Sequence, residues 1–316
     1  MEKLVVSTSP HLHSGASTQR IMLDVLIALA PATVASVVLF GLKALVMIIF
    51  SVGTAVLSEY LFNLIVKKRQ TISDFSACVT GLLLALSLPA TTPIWQIVVG
   101  AVFAIVVVKC LFGGLGCNFA NPAVTARVMM LIAFKEAGGG VVPSPDKWAS
   151  FDLVTGATPL SVIGKEGATV PSLLDMLLGL RGGAIGEGCI IALLLGFAYL
   201  VARRVIKWYV PVTYAGLTFL LSFAFSGNIT VATYHLLGGG LILAAVFMIT
   251  DYVTTPINSL GKVVFAAGCA LITVLIRFFG TLPEGVSYAI LLMNILSPYI
   301  EKLCARKPLG AGGKSK

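Results

Sequence analysis

The chain has 316 residues, 58% of them hydrophobic and 11% charged, with a mean hydropathy of +0.99. A soluble domain is usually about 45–50% apolar and about 25% charged, so this composition excludes a soluble enzyme, a disordered tail and a nucleic-acid-binding module. The net charge of +9 comes largely from basic residues beside apolar runs, the pattern of cytoplasmic loops in a membrane protein.

The first twenty residues hold His11 and His13 but no apolar core. No cleavable signal is expected, and the first apolar run directs insertion. Apolar runs predict helices over 21–40, 44–66, 74–89, 94–112, 122–134, 185–202, 208–226, 231–250, 261–279 and 284–302, an all-α polytopic membrane protein of about ten spans. The third and fifth runs are short for a full span, which suggests broken or half-depth helices packed inside protein. Fifteen Lys/Arg fall on one side, in 3–20, 67–69, at Lys109, in 203–207, at Lys262 and in 302–316. Five (Lys43, Lys135, Lys147, Lys165, Arg181) fall on the other. The asymmetry places both termini in the cytoplasm and the long segment 135–184 outside.

A repeat supports this layout. Gly81-Leu82-Leu83-Leu84-Ala85 leads to Thr91-Thr92-Pro93, and Gly240-Leu241-Ile242-Leu243-Ala244 leads to Thr254-Thr255-Pro256. The expected organisation is therefore two five-helix repeats of inverted topology, 1–134 and 185–316, flanking the outer segment 135–184.

Ionisable groups in apolar runs are costly and mark functional or structural polar sites. Glu59, Asp251 and Arg277 lie near interfaces, where they can snorkel or stay hydrated. His235 reads as a packing residue, and Asp24 is open to either role. Arg127 closes the block Gly113-Gly114-Leu115-Gly116-Cys117-Asn118-Phe119-Ala120-Asn121-Pro122-Ala123-Val124-Thr125-Ala126-Arg127. Its glycines permit irregular backbone, and Asn121 can cap a helix begun by Pro122. Such a helix start aims unpaired N–H groups at an anion or a flavin edge, so Asn118, Asn121 and Arg127 are candidate cofactor contacts. The six cysteines (Cys78, Cys110, Cys117, Cys189, Cys269, Cys304) show no CxxC or Cys/His spacing. No metal site and no catalytic residue is expected.

The segment Asp152-Leu153-Val154-Thr155-Gly156-Ala157-Thr158-Pro159-Leu160 puts two hydroxyls around Gly-Ala before a proline. On its residues alone it is a turn with no neighbouring base to activate a threonine. The stretch nevertheless resembles the flavinylation motif of the family that holds the D subunit of the Rnf complex and the B subunit of the sodium-pumping NADH:quinone oxidoreductase. The block from Phe112 to Arg127 and the ten-helix layout are similar to that family too.

The resemblance implies that a separate flavin transferase joins FMN to Thr158 through a phosphoester, with Thr155, Gly156 and Ala157 forming the rest of the motif. Thr155 stands where serine is frequent. It also implies a fold like that of urea and ammonium channels, and a noncovalent riboflavin among the helices. It implies a place among the membrane and peripheral subunits of a prokaryotic plasma-membrane (inner-membrane) complex. There ferredoxin:NAD electron flow is coupled to Na+ or H+ transport. The length favours the Rnf D type over the B type of the quinone reductase. A solute channel of the same fold and an unmodified scaffold protein are the rivals from other classes.

Overall fold

The computed structural model describes residues 17–134, 138–143, 154–163, 171–280 and 284–305. Asp152 and Leu153 lie outside them. Two long apolar helices come first, α1 (Thr18–Phe40) and α2 (Leu42–Ile65). Ser17 caps α1 by accepting a hydrogen bond from Arg20 N at 3.3 Å. Gly41, at φ 70°, makes the tight join between them. Then come α3 (Ser76–Ser87), α4 (Ile94–Cys110) and α5 (Pro122–Ala133).

The last turns of α4 are wide. Over Phe103–Cys110 the helix is π-type, and Leu111 N reaches back five residues to Val106 O at 3.0 Å. Between α4 and α5 the backbone is irregular, with Gly113, Gly114 and Gly116 at φ of 121°, 98° and 95°. Residues with a Cβ rarely adopt these angles. α5 then starts as its sequence dictates, with Pro122 at the first helical position behind an Asn121 cap.

Strands β1 (Gly140–Val142) and β2 (Val154–Gly156) pair antiparallel, with Gly140 opposite Gly156. Short helices α6 (Pro159–Val162) and α7 (Leu173–Leu178) follow, then a 3-10 turn at Ile185–Glu187. The second helical half runs through α8 (Ile190–Ala202), α9 (Tyr209–Ser226), α10 (Ile229–Leu237), α11 (Leu241–Met248), α12 (Ser259–Phe279) and α13 (Val286–Leu303). The apolar run expected as one helix over 231–250 is broken. α10 and α11 meet at 59° across Gly238-Gly239-Gly240.

Among the described residues, four helices (α1, α2, α9, α12) are long and apolar enough to cross a membrane, and the bent α10–α11 pair adds one more. Apolar helices α3, α4, α5 and α8 are shorter. The core sits where the short helices are wrapped by the long ones: Met47, Leu84, Leu86, Met130 and Phe265 are fully buried. α3 is held tightly against α2. Ser51 Oγ donates to Gly81 O at 2.7 Å, and a Cβ on Gly81 would stand 2.9 Å from Ser51 O. Outward positions such as Val34, Ile49, Leu64, Ile132, Leu195 and Leu220 are apolar and exposed, a surface suited to lipid rather than water.

Candidate functional site

α3 and α5 both begin at one cleft. It is partly open, and its polar wall includes Ser76, Thr80, Lys109, Asn118, Asn121 and Asp251. Leu83, Leu200 and Phe247 are among its apolar lining. This mixture of polar and apolar lining suits a small organic molecule with a few polar groups. Two helix N-termini face this space, each already capped, α3 by Asp74 Oδ1 accepting from Ser76 N at 2.9 Å, and Asp251 adds a carboxylate to the same wall.

Asn121 spends its side-chain oxygen on its own helix, accepting from Ala123 N at 3.1 Å and Val124 N at 3.4 Å. Asn118 does not: its Oδ1 is buried and has no hydrogen-bond partner. A buried acceptor left without a donor costs free energy, so a donor on a bound molecule would fit there.

Beside the cleft lies a buried ion pair. Lys109 Nζ donates to Glu59 Oε2 at 2.8 Å and to Ser76 Oγ. Thr71 Oγ1 donates to Glu59 Oε1, and Asn63 Nδ2 donates to Thr71 Oγ1 at 3.1 Å. The expectation of a hydrated interfacial Glu59 is corrected, because Glu59 and Lys109 are each 1% exposed. The π-type end of α4 carries Lys109 inward, where Glu59 supplies the countercharge. Asp24 is also settled locally: Tyr199 Oη donates to it at 2.9 Å, and Arg203 Nε lies 3.4 Å away.

A second polar cluster lies at the far end of α3 from the cleft. Ser76 lines the cleft and Ser87 lines this cluster, roughly 16 Å apart along the helix at about 1.5 Å per residue. Arg127 belongs here, not with Asn118 and Asn121. Its guanidinium donates to Glu284 and stands 3.9 Å from Glu187 Oε1.

The break between α10 and α11 explains the other charges. A helix end leaves its last carbonyls without partners. Arg277 donates to His235 O and Gly238 O, and Arg181 donates to Leu237 O at 2.8 Å and Glu187 O at 3.2 Å. These cations also oppose the negative end of the α10 dipole. Arg277 is thus fixed to backbone rather than snorkelling. Burial holds the Arg181 guanidinium below its ordinary value, while Glu187 and Glu284 pull it upward. The His235 ring stacks on Phe278 with centroids 4.8 Å apart, as expected of a packing residue.

The Thr158 segment crosses above this cluster. Leu160 meets Gly238 and Gly239 at the helix break, and Gly182 meets Ala157 O. Thr158 has φ −69° and ψ 145°, the extended conformation that a following proline favours. The residue is 7% exposed, and Oγ1 is buried without a partner. The hydroxyl that a phosphoester requires is present, uncommitted and covered. Sequence reasoning missed Glu187 and Glu284. Their signal was a lone acid in Ile185-Gly186-Glu187-Gly188 and in Leu282-Pro283-Glu284-Gly285, each flanked by apolar helix.

A model of the NQR2, RnfD, RnfE family matches residues 5–310. The chain belongs to that family. It is 42% identical over 310 residues to the D subunit of the Na(+)-translocating ferredoxin:NAD(+) oxidoreductase complex of Acetobacterium woodii, covering 97% of this chain and 95% of that protein. It is 39% identical to the D subunit of the proton-translocating ferredoxin:NAD(+) oxidoreductase complex of Clostridium ljungdahlii, over 94% of this chain and 93% of the relative. A third relative, the D subunit of an ion-translocating oxidoreductase complex of Halorhodospira halophila, is 35% identical over 98% of both chains. With its apolar helices, this member of the NQR2, RnfD, RnfE family is a multi-pass membrane protein. The cleft and the Thr158 segment are its two candidate cofactor positions.

Proposed function

We propose that this chain is the flavin-carrying D subunit of an Rnf-type membrane complex, relaying electrons between partner subunits while the complex moves Na+ or H+. The observation that carries this reading is the likeness along nearly the whole chain to D subunits of such complexes, together with Thr158 at the end of the Thr-Gly-Ala-Thr motif. In this reading Thr158 holds FMN through a phosphoester made by a flavin transferase, and Thr155, Gly156 and Ala157 complete the recognition motif. The cleft between α3 and α5 holds a noncovalent riboflavin.

Bound flavin would supply a carrier that accepts and passes on electrons. The chain's own residues supply the setting. Asn118 Oδ1 offers an acceptor to a ring N–H, the helix starts at Ser76 and Asn121 favour electron-rich ring atoms, and Leu83 and Phe247 exclude water. Fluorescence of the denatured chain in a gel tests the covalent half, because only attached flavin survives denaturation. A dark band from cells that contain the transferase overturns it, and bound flavin of either kind would set the chain apart from a solute channel.

The noncovalent half has its own test. Asn118→Leu is expected to lower the flavin released on denaturation several-fold while chain-attached flavin, measured in the same sample, stays constant. Equal release from both proteins would remove riboflavin from the cleft.

The membrane arrangement proposed with this function is two inverted five-helix repeats, 1–134 and 185–316, with both termini cytoplasmic and 135–184 outside. The halves offer matching parts. α3 and α11 each lead to a Thr-Thr-Pro turn, and each half contains a π-type segment, Phe103–Cys110 and Ala244–Met248. In a cysteine-free background, a cysteine at Ser150, outside the described residues, should react with an impermeant maleimide in intact cells. Reaction only after permeabilisation would invert the topology.

A further inference from the structure

Thr158 is closed in by backbone. On one side stands β1, where a Cβ on Gly140 would lie 2.9 Å from Thr158 Cγ2 and 2.8 Å from Gly156 O. On the other side runs Arg181-Gly182-Gly183, where a Cβ on Gly182 would come within 2.7 Å of Ala157 O. The two walls are joined to each other: Val141 and Gly183 exchange both backbone hydrogen bonds at 3.3 Å. Below, Ser161 donates to Thr158 O from its N at 2.9 Å and its Oγ at 2.7 Å. Leu160 is seated against the α10–α11 break.

Attachment of FMN demands access that this arrangement denies. The Thr158 Oγ–phosphorus bond must form as the pyrophosphate bond of a flavin dinucleotide breaks. A nucleoside monophosphate leaves, and the hydroxyl proton passes to a base of the transferase. The attacking oxygen has to approach the phosphorus opposite the leaving group. Thr158 Oγ1 presents almost no surface to approach.

We infer that the transferase modifies an opened form, in which the 156–160 segment has left its seat between β1 and residues 181–183, and that the closed arrangement is refractory to modification. This rests on the reading that Thr158 is the FMN acceptor. Local opening of a segment held by few backbone bonds is an ordinary sub-global motion. It makes the glycine-lined seat a regulator of when the protein receives its flavin.

The test uses the full-length chain in membranes, made without the transferase and carrying Val141→Cys with Gly183→Cys. A hydrogen-bonded antiparallel pair places Cα atoms about 5.5 Å apart, within disulfide reach. With purified transferase and flavin dinucleotide, the reduced protein should gain covalent fluorescence at the unaltered chain's rate. The oxidised protein should gain it more slowly, by roughly tenfold or more.

Equal rates overturn the gating and leave Thr158 as acceptor. No labelling of the unaltered chain overturns the acceptor reading and the gating with it. A second measurement holds even if the cysteine pair misfolds. In chains not yet flavinylated and with the six native cysteines replaced, Thr158→Cys should react with maleimide far more slowly than Ala157→Cys, at the neighbouring exposed position. Equal reactivity would show the acceptor open already and overturn the proposal.

Discussion

Thr158→Ala is expected to abolish covalent flavin fluorescence, and Thr155→Ala to retain it. The substitution is clean because Oγ1 has no hydrogen-bond partner, so its removal breaks no bond in the folded chain. The mutant should reach the same level in the membrane and pass through the same thermal transition while remaining dark. Thr158→Ser keeps a hydroxyl and should keep a signal. Fluorescence lost with Thr155→Ala but kept with Thr158→Ala would move the acceptor to the other threonine. Fluorescence kept in both would end the motif reading.

The largest stability effect is expected at the Lys109–Glu59 pair. Each residue is 1% exposed and the side chains meet at 2.8 Å. Removing one partner strands a charge where water cannot reach it, a loss of about 3–5 kcal/mol. Lys109→Met and Glu59→Leu should each lower the thermal transition of the purified protein sharply. Together they should cost much less than the sum, since two apolar groups of similar volume can replace a buried pair nearly neutrally. A double-mutant cycle measures this. Additive losses would mean that the two residues act on stability independently.

Much of the helical layout is legible in the sequence because it depends on local composition. The Asn121-Pro122 helix start needs only a capping side chain and a ring-locked φ, and the structure realises it. The short third and fifth runs can be read from length alone, and they fold as the 12-residue helices α3 and α5.

The polar partnerships are different. Lys109 meets Glu59 across fifty residues of sequence, and Arg127 meets Glu284 across 157. Only the packing of whole helices selects those pairs. Arg127 groups with Asn118 and Asn121 in the sequence because they are neighbours in the chain. Yet Arg127 is set roughly 9 Å further along α5 than its Asn121 cap, at 1.5 Å per residue, and reaches the opposite cluster. The break at Gly238-Gly239-Gly240 has a local signal, three successive glycines, which the apolar residues on either side outweigh in a reading by hydropathy. The covered state of Thr158 is invisible locally. Its walls are Gly140 and Gly182, contributed from either side of the motif.

The wide turns at the end of α4 make residue count itself a coded property of this chain. A π-type turn accommodates an extra residue, and each residue added or removed rotates everything beyond it by about 100°. Lys109 therefore owes its inward heading to the number of residues between Ile94 and itself as much as to their chemistry. A one-residue deletion among Phe103–Val108 would leave hydropathy and charge count almost unchanged while swinging that ammonium off the Glu59 azimuth. The same arithmetic governs Ala244–Met248, which sets the heading of Asp251 at the cleft. Single-residue indels in these two stretches are thus charge-relocating events.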